Sequence, residues 1–155
     1  APWQQGPKSD RPGEFITHGI VLRCDTLGAQ GSFSLRYCDY GHNGGLNAAV
    51  PGPSFLLNTE RGPLSVALHG PLDPGLHHLA GVYDGKALKL YIDGELRAQR
   101  EGSGRLVANS EPIAIGHIHK GQGGFDGEVQ GVKIARIARD AGYVEAASRH
   151  GMRVE

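Results

Sequence analysis

The chain has 155 residues, enough for one domain that buries a two-layer core without metal or disulfide staples. Its 39% hydrophobic and 21% charged residues belong to a folded globule rather than a disordered tail, and 25 Gly with 9 Pro suit an all-β protein of many turns. Sixteen basic residues cancel sixteen acidic ones, which argues against a nucleic-acid binder, and no apolar run is long enough to span a membrane.

Residues 1–14 are polar with three prolines and read as an N-terminal arm; residues 15–155 read as a single domain. The start, APWQQGPKSD, has neither an initiator Met nor a signal-peptide pattern, as expected of a segment of a longer or processed polypeptide. Alternation predicts strands over Phe15–Asp25 and Ser32–Tyr40, the latter with Phe33, Leu35 and Tyr37 on one face and Ser34, Arg36 and Cys38 on the other. Cys24 and Cys38 fall in these neighbouring strands, either as one disulfide or as two buried thiols. Gly41–Ser54 is a Gly/Asn/Pro loop, followed by short strands at Phe55–Asn58 and Leu64–Leu68.

Leu76 to Leu96, LHHLAGVYDGKALKLYIDGEL, carries the sharpest local signal. Asp84-Gly85 and Asp93-Gly94 are flanked by alternating strand sequence. Asp-Gly in that setting predicts tight type I′ hairpin turns, because Gly accepts φ > 0 without strain. A three-stranded meander over His77–Gln99 follows. Further strands are expected at Ile113–His119 and Gly127–Arg136, and a helix after Asp140, with Asp140 as N-cap and Gly151 as terminator. Short strands at this spacing point to a β-sandwich.

From about Leu76 to Ala146 the chain resembles the laminin G-like domains of the concanavalin A-like superfamily. HHLAGVYDG, LKLYIDGEL, EPIAIG (Glu111–Gly116) and FDGEVQGVKI (Phe125–Ile134) resemble that family's strands in order. The resemblance implies an all-β, two-sheet antiparallel jelly-roll sandwich with a short C-terminal helix. It also implies a non-catalytic role in binding glycans or proteins, with many bacterial members joined to secreted polysaccharide-processing enzymes. Two departures stand out: Leu76 where the family usually has Trp, and Gln130-Gly131 where many members have Asp-Glu. The second removes carboxylates on which a calcium site would rely.

The residues offer several chemistries. Glycoside hydrolysis needs two carboxylates facing one cleft; Asp126 and Glu128 share a strand face, but the Glu-x-Asp-x-x-Glu motif of jelly-roll glucanases is missing. His117 and His119 also share a face and can seat two ligands of a transition metal, with Asp126, Glu128 or His42 to complete it. Asp84, Asp93, Asp126 and Asn109 carry the hard oxygens that Ca²⁺ prefers, although turn chemistry already accounts for Asp84 and Asp93. His77 and His78 are expected on opposite faces, one bonded in the core and one exposed. Glycan sites combine an aromatic ring with amides and imidazoles that bond hydroxyls. Tyr40, His42 and Asn43 supply that set in the first Gly-rich loop, and His119 with Gln122 supplies a second rim, whereas Tyr37 reads as core. The sequence thus leads to a glycan- or polysaccharide-binding module of a larger extracellular or periplasmic protein. A module that docks on another protein domain comes second, and a glycoside hydrolase-like enzyme third.

Overall fold

The computed structural model of the chain describes residues 17–23, 32–38, 52–68, 70–117, 124–125 and 127–151. Among these residues, eight strands form two antiparallel sheets, with one helix after them. The first sheet contains β1 (Thr17–Arg23), β2 (Phe33–Cys38), β3 (Gly52–Thr59), β4 (Gly62–Ala67) and β8 (Ala114–Ile115), in the order β4-β3-β2-β1-β8. The second is the meander β5 (Leu79–Tyr83), β6 (Ala87–Ile92) and β7 (Glu95–Glu101). Helix α1 runs Ala141–His150.

The two sheets stack through their alternating apolar faces. Phe55, Leu57 and Val66 of β3 and β4 meet Leu88 and Leu90 of β6, and the two leucines are wholly inaccessible to water. A second cluster gathers Ile20, Val21 and Tyr37 with Leu72, Leu79, Phe125 and Val129. Tyr37 is therefore a core residue, and its hydroxyl accepts a hydrogen bond from the Leu72 amide at 3.2 Å. Burial of this apolar area is what holds the layers together, at roughly 25 cal/mol per Å² removed from water. The architecture is the jelly-roll sandwich that the resemblance implies.

Local chemistry explains the joints. Ile92 pairs directly with Glu95, so Asp93 (φ 52) and Gly94 (φ 86) form a two-residue turn with both residues left-handed, as type I′ requires. The first Asp-Gly pair behaves differently from expectation. Gly85 (φ 85) and Lys86 form the turn, while Asp84 stands one position earlier and accepts from the amides of Lys86 and Ala87 at 2.9 and 2.8 Å. A carboxylate that bonds the amides two and three residues on favours this offset. Helix α1 begins as the sequence predicts: Asp140 Oδ1 accepts from the Tyr143 amide at 2.8 Å, and Gly151 (φ 66) closes it.

Two expectations are corrected. Gly127–Arg136 forms no strand, because alternation alone supplies no partner edge; Val132 and Ile134 end up exposed instead of buried between sheets. Of Ile113–His119, only Ala114–Ile115 pairs, with Leu22 and Val21 of β1, and residues 118–119 lie outside the described ones. The far face of the first sheet, which carries Ser34 and Arg36, is shielded from water. Ser34, Arg36, Ser54 and Ser65, cross-strand neighbours on β2, β3 and β4, are all buried.

Cys24 lies outside the described residues.

Candidate functional site

The sheet register decides which loops are neighbours. β2 ends at Cys38, opposite Thr17 at the start of β1, and β3 begins at Gly52, opposite Cys38. β8 is antiparallel to β1, with Ala114 opposite Leu22 and Ile115 opposite Val21, so it leaves the sheet toward the same end. The Gly116 amide continues that ladder by donating to the Ile20 carbonyl at 2.9 Å. Two connections therefore depart from one end of one sheet. The first is closed at its base by the Cys38–Gly52 pair, and the second by the Phe125 amide donating to the Gly116 carbonyl at 2.8 Å. Only β1 separates the two exits laterally, by about 10 Å at the usual strand spacing, and they are offset by three residues along it, from Thr17 to Ile20.

Those connections contain the sequence-predicted binding residues. Tyr40, His42 and Asn43 follow β2, and His119 and Gln122 lie between Gly116 and Phe125; all five fall outside the described residues. So does Asp126. Of the proposed transition-metal ligands, His117 and Glu128 are described, His117 exposed at the exit of β8. Among the described residues, no three His, Cys, Asp or Glu side chains converge as a metal site.

The calcium set is not brought together. Asp84 and Asp93 cap opposite ends of the six-residue strand β6, about 20 Å apart. Asp84 binds Lys89 Nζ at 3.0 Å, and Asn109 works structurally, its Oδ1 accepting from the Glu111 amide and its Nδ2 donating to the Arg23 carbonyl. Glu128 accepts from Gln130 Nε2 at 3.2 Å on an exposed surface.

The polar cluster that the sequence reading missed centres on His77. Its Nδ1 lies 2.7 Å from Asp93 Oδ2, and its Nε2 lies 2.7 Å from the Asp73 carbonyl oxygen. Asp93 Oδ1 also accepts from the His78 amide at 2.9 Å. The two histidines thus serve one carboxylate, against the expected split between a bonded core residue and an exposed one. His78 is the more burdened: its Nδ1 is buried without a hydrogen-bond partner, and burial pushes its imidazole toward the neutral form despite the charge of Asp93. A His–Asp pair is two of the three members of a nucleophile-activating triad, but here the second ring nitrogen is taken by a main-chain carbonyl. The geometry is a clasp between loops. Asp-Gly at 93–94 signalled the turn, but nothing local signalled that His77 would reach it.

Comparison with known proteins fits this architecture. Residues 20–145 match the laminin G model of the concanavalin A-like lectin/glucanases superfamily, and the chain belongs to that superfamily. A solved S-layer domain-containing protein from Clostridium thermocellum is similar at 16% identity, covering 82% of this chain and 66% of that one, with a TM-score of 0.44. No curated protein matches the chain. Among the described residues, no helix is long and apolar enough to cross a membrane.

Proposed function

We propose that this domain is a non-catalytic recognition module that binds glycan at the end of the first sheet where β2 and β8 exit. Tyr40 supplies the stacking ring, and His42, Asn43, His119 and Gln122 supply hydrogen bonds to hydroxyls. The observation that carries this reading is the register: two loops that start 78 residues apart in sequence, at Cys38 and Gly116, leave one end of one sheet, each closed at its base. Superfamily membership over residues 20–145 supports a module of carbohydrate or protein recognition, and we place it outside the cytoplasm as part of a larger protein. Affinity electrophoresis through gels of xylan, mixed-linkage glucan, mannan, pectin and soluble chitin derivatives tests it. Retardation by at least one polysaccharide, reversed by Tyr40→Ala with Asn43→Ala, is expected; free migration through all of them overturns it.

A second reading, docking on another protein domain, is favoured by a specific feature. Ile113 and Ile115 beside and in β8, and Val132, Ile134 and Ile137 before α1, are exposed aliphatic side chains. If that is the main role, light scattering shows association that sugars leave unchanged and that Ile134→Asp with Ile137→Asp abolishes.

A further inference from the structure

The β4–β5 connection is the crossover that carries the chain from the first sheet to the second. It is fastened at two points. Leu72 enters the second core cluster and its amide donates to Tyr37 Oη. Five residues on, His77 reaches the Asp73 carbonyl within the crossover and the Asp93 carboxylate in the β6–β7 turn.

Both atoms that His77 faces are acceptors. A carbonyl oxygen and a carboxylate can each receive a hydrogen bond but give none, so both 2.7 Å contacts are satisfied only when both ring nitrogens carry protons. The neutral ring has one N–H. It stays on Nδ1 against the carboxylate, where a charge-assisted bond is stronger, and leaves the Nε2 lone pair facing the lone pairs of the Asp73 carbonyl.

We propose that His77 is a proton-operated clasp: as imidazolium it locks the crossover to the β6–β7 turn, and on losing its proton it releases the Asp73–Leu76 stretch while the sandwich stays folded. The surroundings favour the locked form. Burial by itself works against the charged ring, but the hydrogen bonds to Asp93 and Asp73 and the charges of both carboxylates outweigh it and raise the basicity of His77. From the same connection, His78 is pushed toward neutrality and adds little opposing charge. From α1, Glu145 and Ser148 lie against Gly94 on the turn, but Glu145 is already paired with Arg149. The sign follows: with its basicity raised in the folded state, the clasp's stabilisation is complete below the ordinary imidazole value of 6.5 and is lost as pH rises through the folded value.

Amide hydrogen exchange at Leu72 and His78, whose N–H groups donate to Tyr37 Oη and Asp93 Oδ1 at the two ends of the stretch, corrected for intrinsic rates and followed from about pH 5 to 8.5, tests the clasp. Opening of this stretch is expected to increase about fivefold to tenfold with rising pH, the scale of one hydrogen bond, while protection of Leu88 and Leu90 is unchanged. His77→Gln, neutral at every pH, is expected to be open throughout; His78→Gln is expected to keep the wild-type response. A parallel ¹⁵N titration of the wild-type rings guards against a variant that fails to fold: His77 should be doubly protonated above pH 6.5, with the same midpoint as the exchange. A flat exchange profile, a response that survives in His77→Gln, or a ring that turns neutral below 6.5 overturns the proposal.

Discussion

Gly81 of β5 lies directly beneath the ring of Phe55 on β3, so that a Cβ at position 81 would overlap the ring carbons. The contact joins the two sheets at their main core cluster, where Phe55 meets Leu88 and Leu90. The ring fills the space that a side chain on β5 would otherwise take. Gly81→Ala is therefore expected to lower stability by about 1–3 kcal/mol, the usual range for overpacking a dense core. Urea unfolding should show a lower midpoint at unchanged slope. Adding Phe55→Leu should recover part of the loss, because the two positions share one space.

The second Asp-Gly turn is held on two sides. His77 and His78 grip Asp93, while a Cβ on Gly94 would come within 3.0 Å of Glu145 Cα on α1. Gly94→Ala combines a left-handed backbone (φ 86) with that approach and should lose about 1–3 kcal/mol. Asp140→Ala, which removes the N-cap bond to the Tyr143 amide, should lose about 1 kcal/mol. Since α1 contacts the meander at the same turn, the two losses should add to less than their sum in the double variant, measured by thermal unfolding.

Acid should act through the first turn. The Asp84 carboxyl is pulled down to about 2, first by the Lys86 amide, then by the Lys89 ammonium and the Ala87 amide. A carboxylate depressed in the folded state adds stability above its ordinary value of 3.8, and that contribution is lost as pH falls toward about 2. Asp84→Asn keeps an acceptor oxygen but no charge, so urea midpoints of this variant should fall less steeply over that window than those of the wild type.

What the sequence showed and what it hid divide along the range of the interactions. The meander and the helix were legible because their signals are local: an Asp-Gly pair two residues wide, and an N-cap three residues from the amide it binds. Gly127–Arg136 has equally good alternation, yet a strand also needs an unoccupied edge, which no local pattern reports. Nor did the pattern show that Ser34, Arg36 and Ser54 are buried, since alternation with polar residues reads as a solvated face. The His77 clasp spans sixteen residues to Asp93 and became visible only once the crossover and the turn were placed together. For the proposed glycan site, composition picked out Tyr40, His42, Asn43, His119 and Gln122, while the shared exit of their two loops came from the pairing of β8 with β1.

The most direct measurement is a ¹⁵N-¹H titration of the domain with an oligosaccharide from the polysaccharide that retards it most. Shifts should concentrate on Cys38, Gly52, Gly116 and Phe125, the residues that close the two loops, and should vanish in the Tyr40→Ala, Asn43→Ala variant. Shifts confined to the meander or to α1, with the β2 and β8 exits undisturbed, would contradict a recognition site at that end of the sandwich.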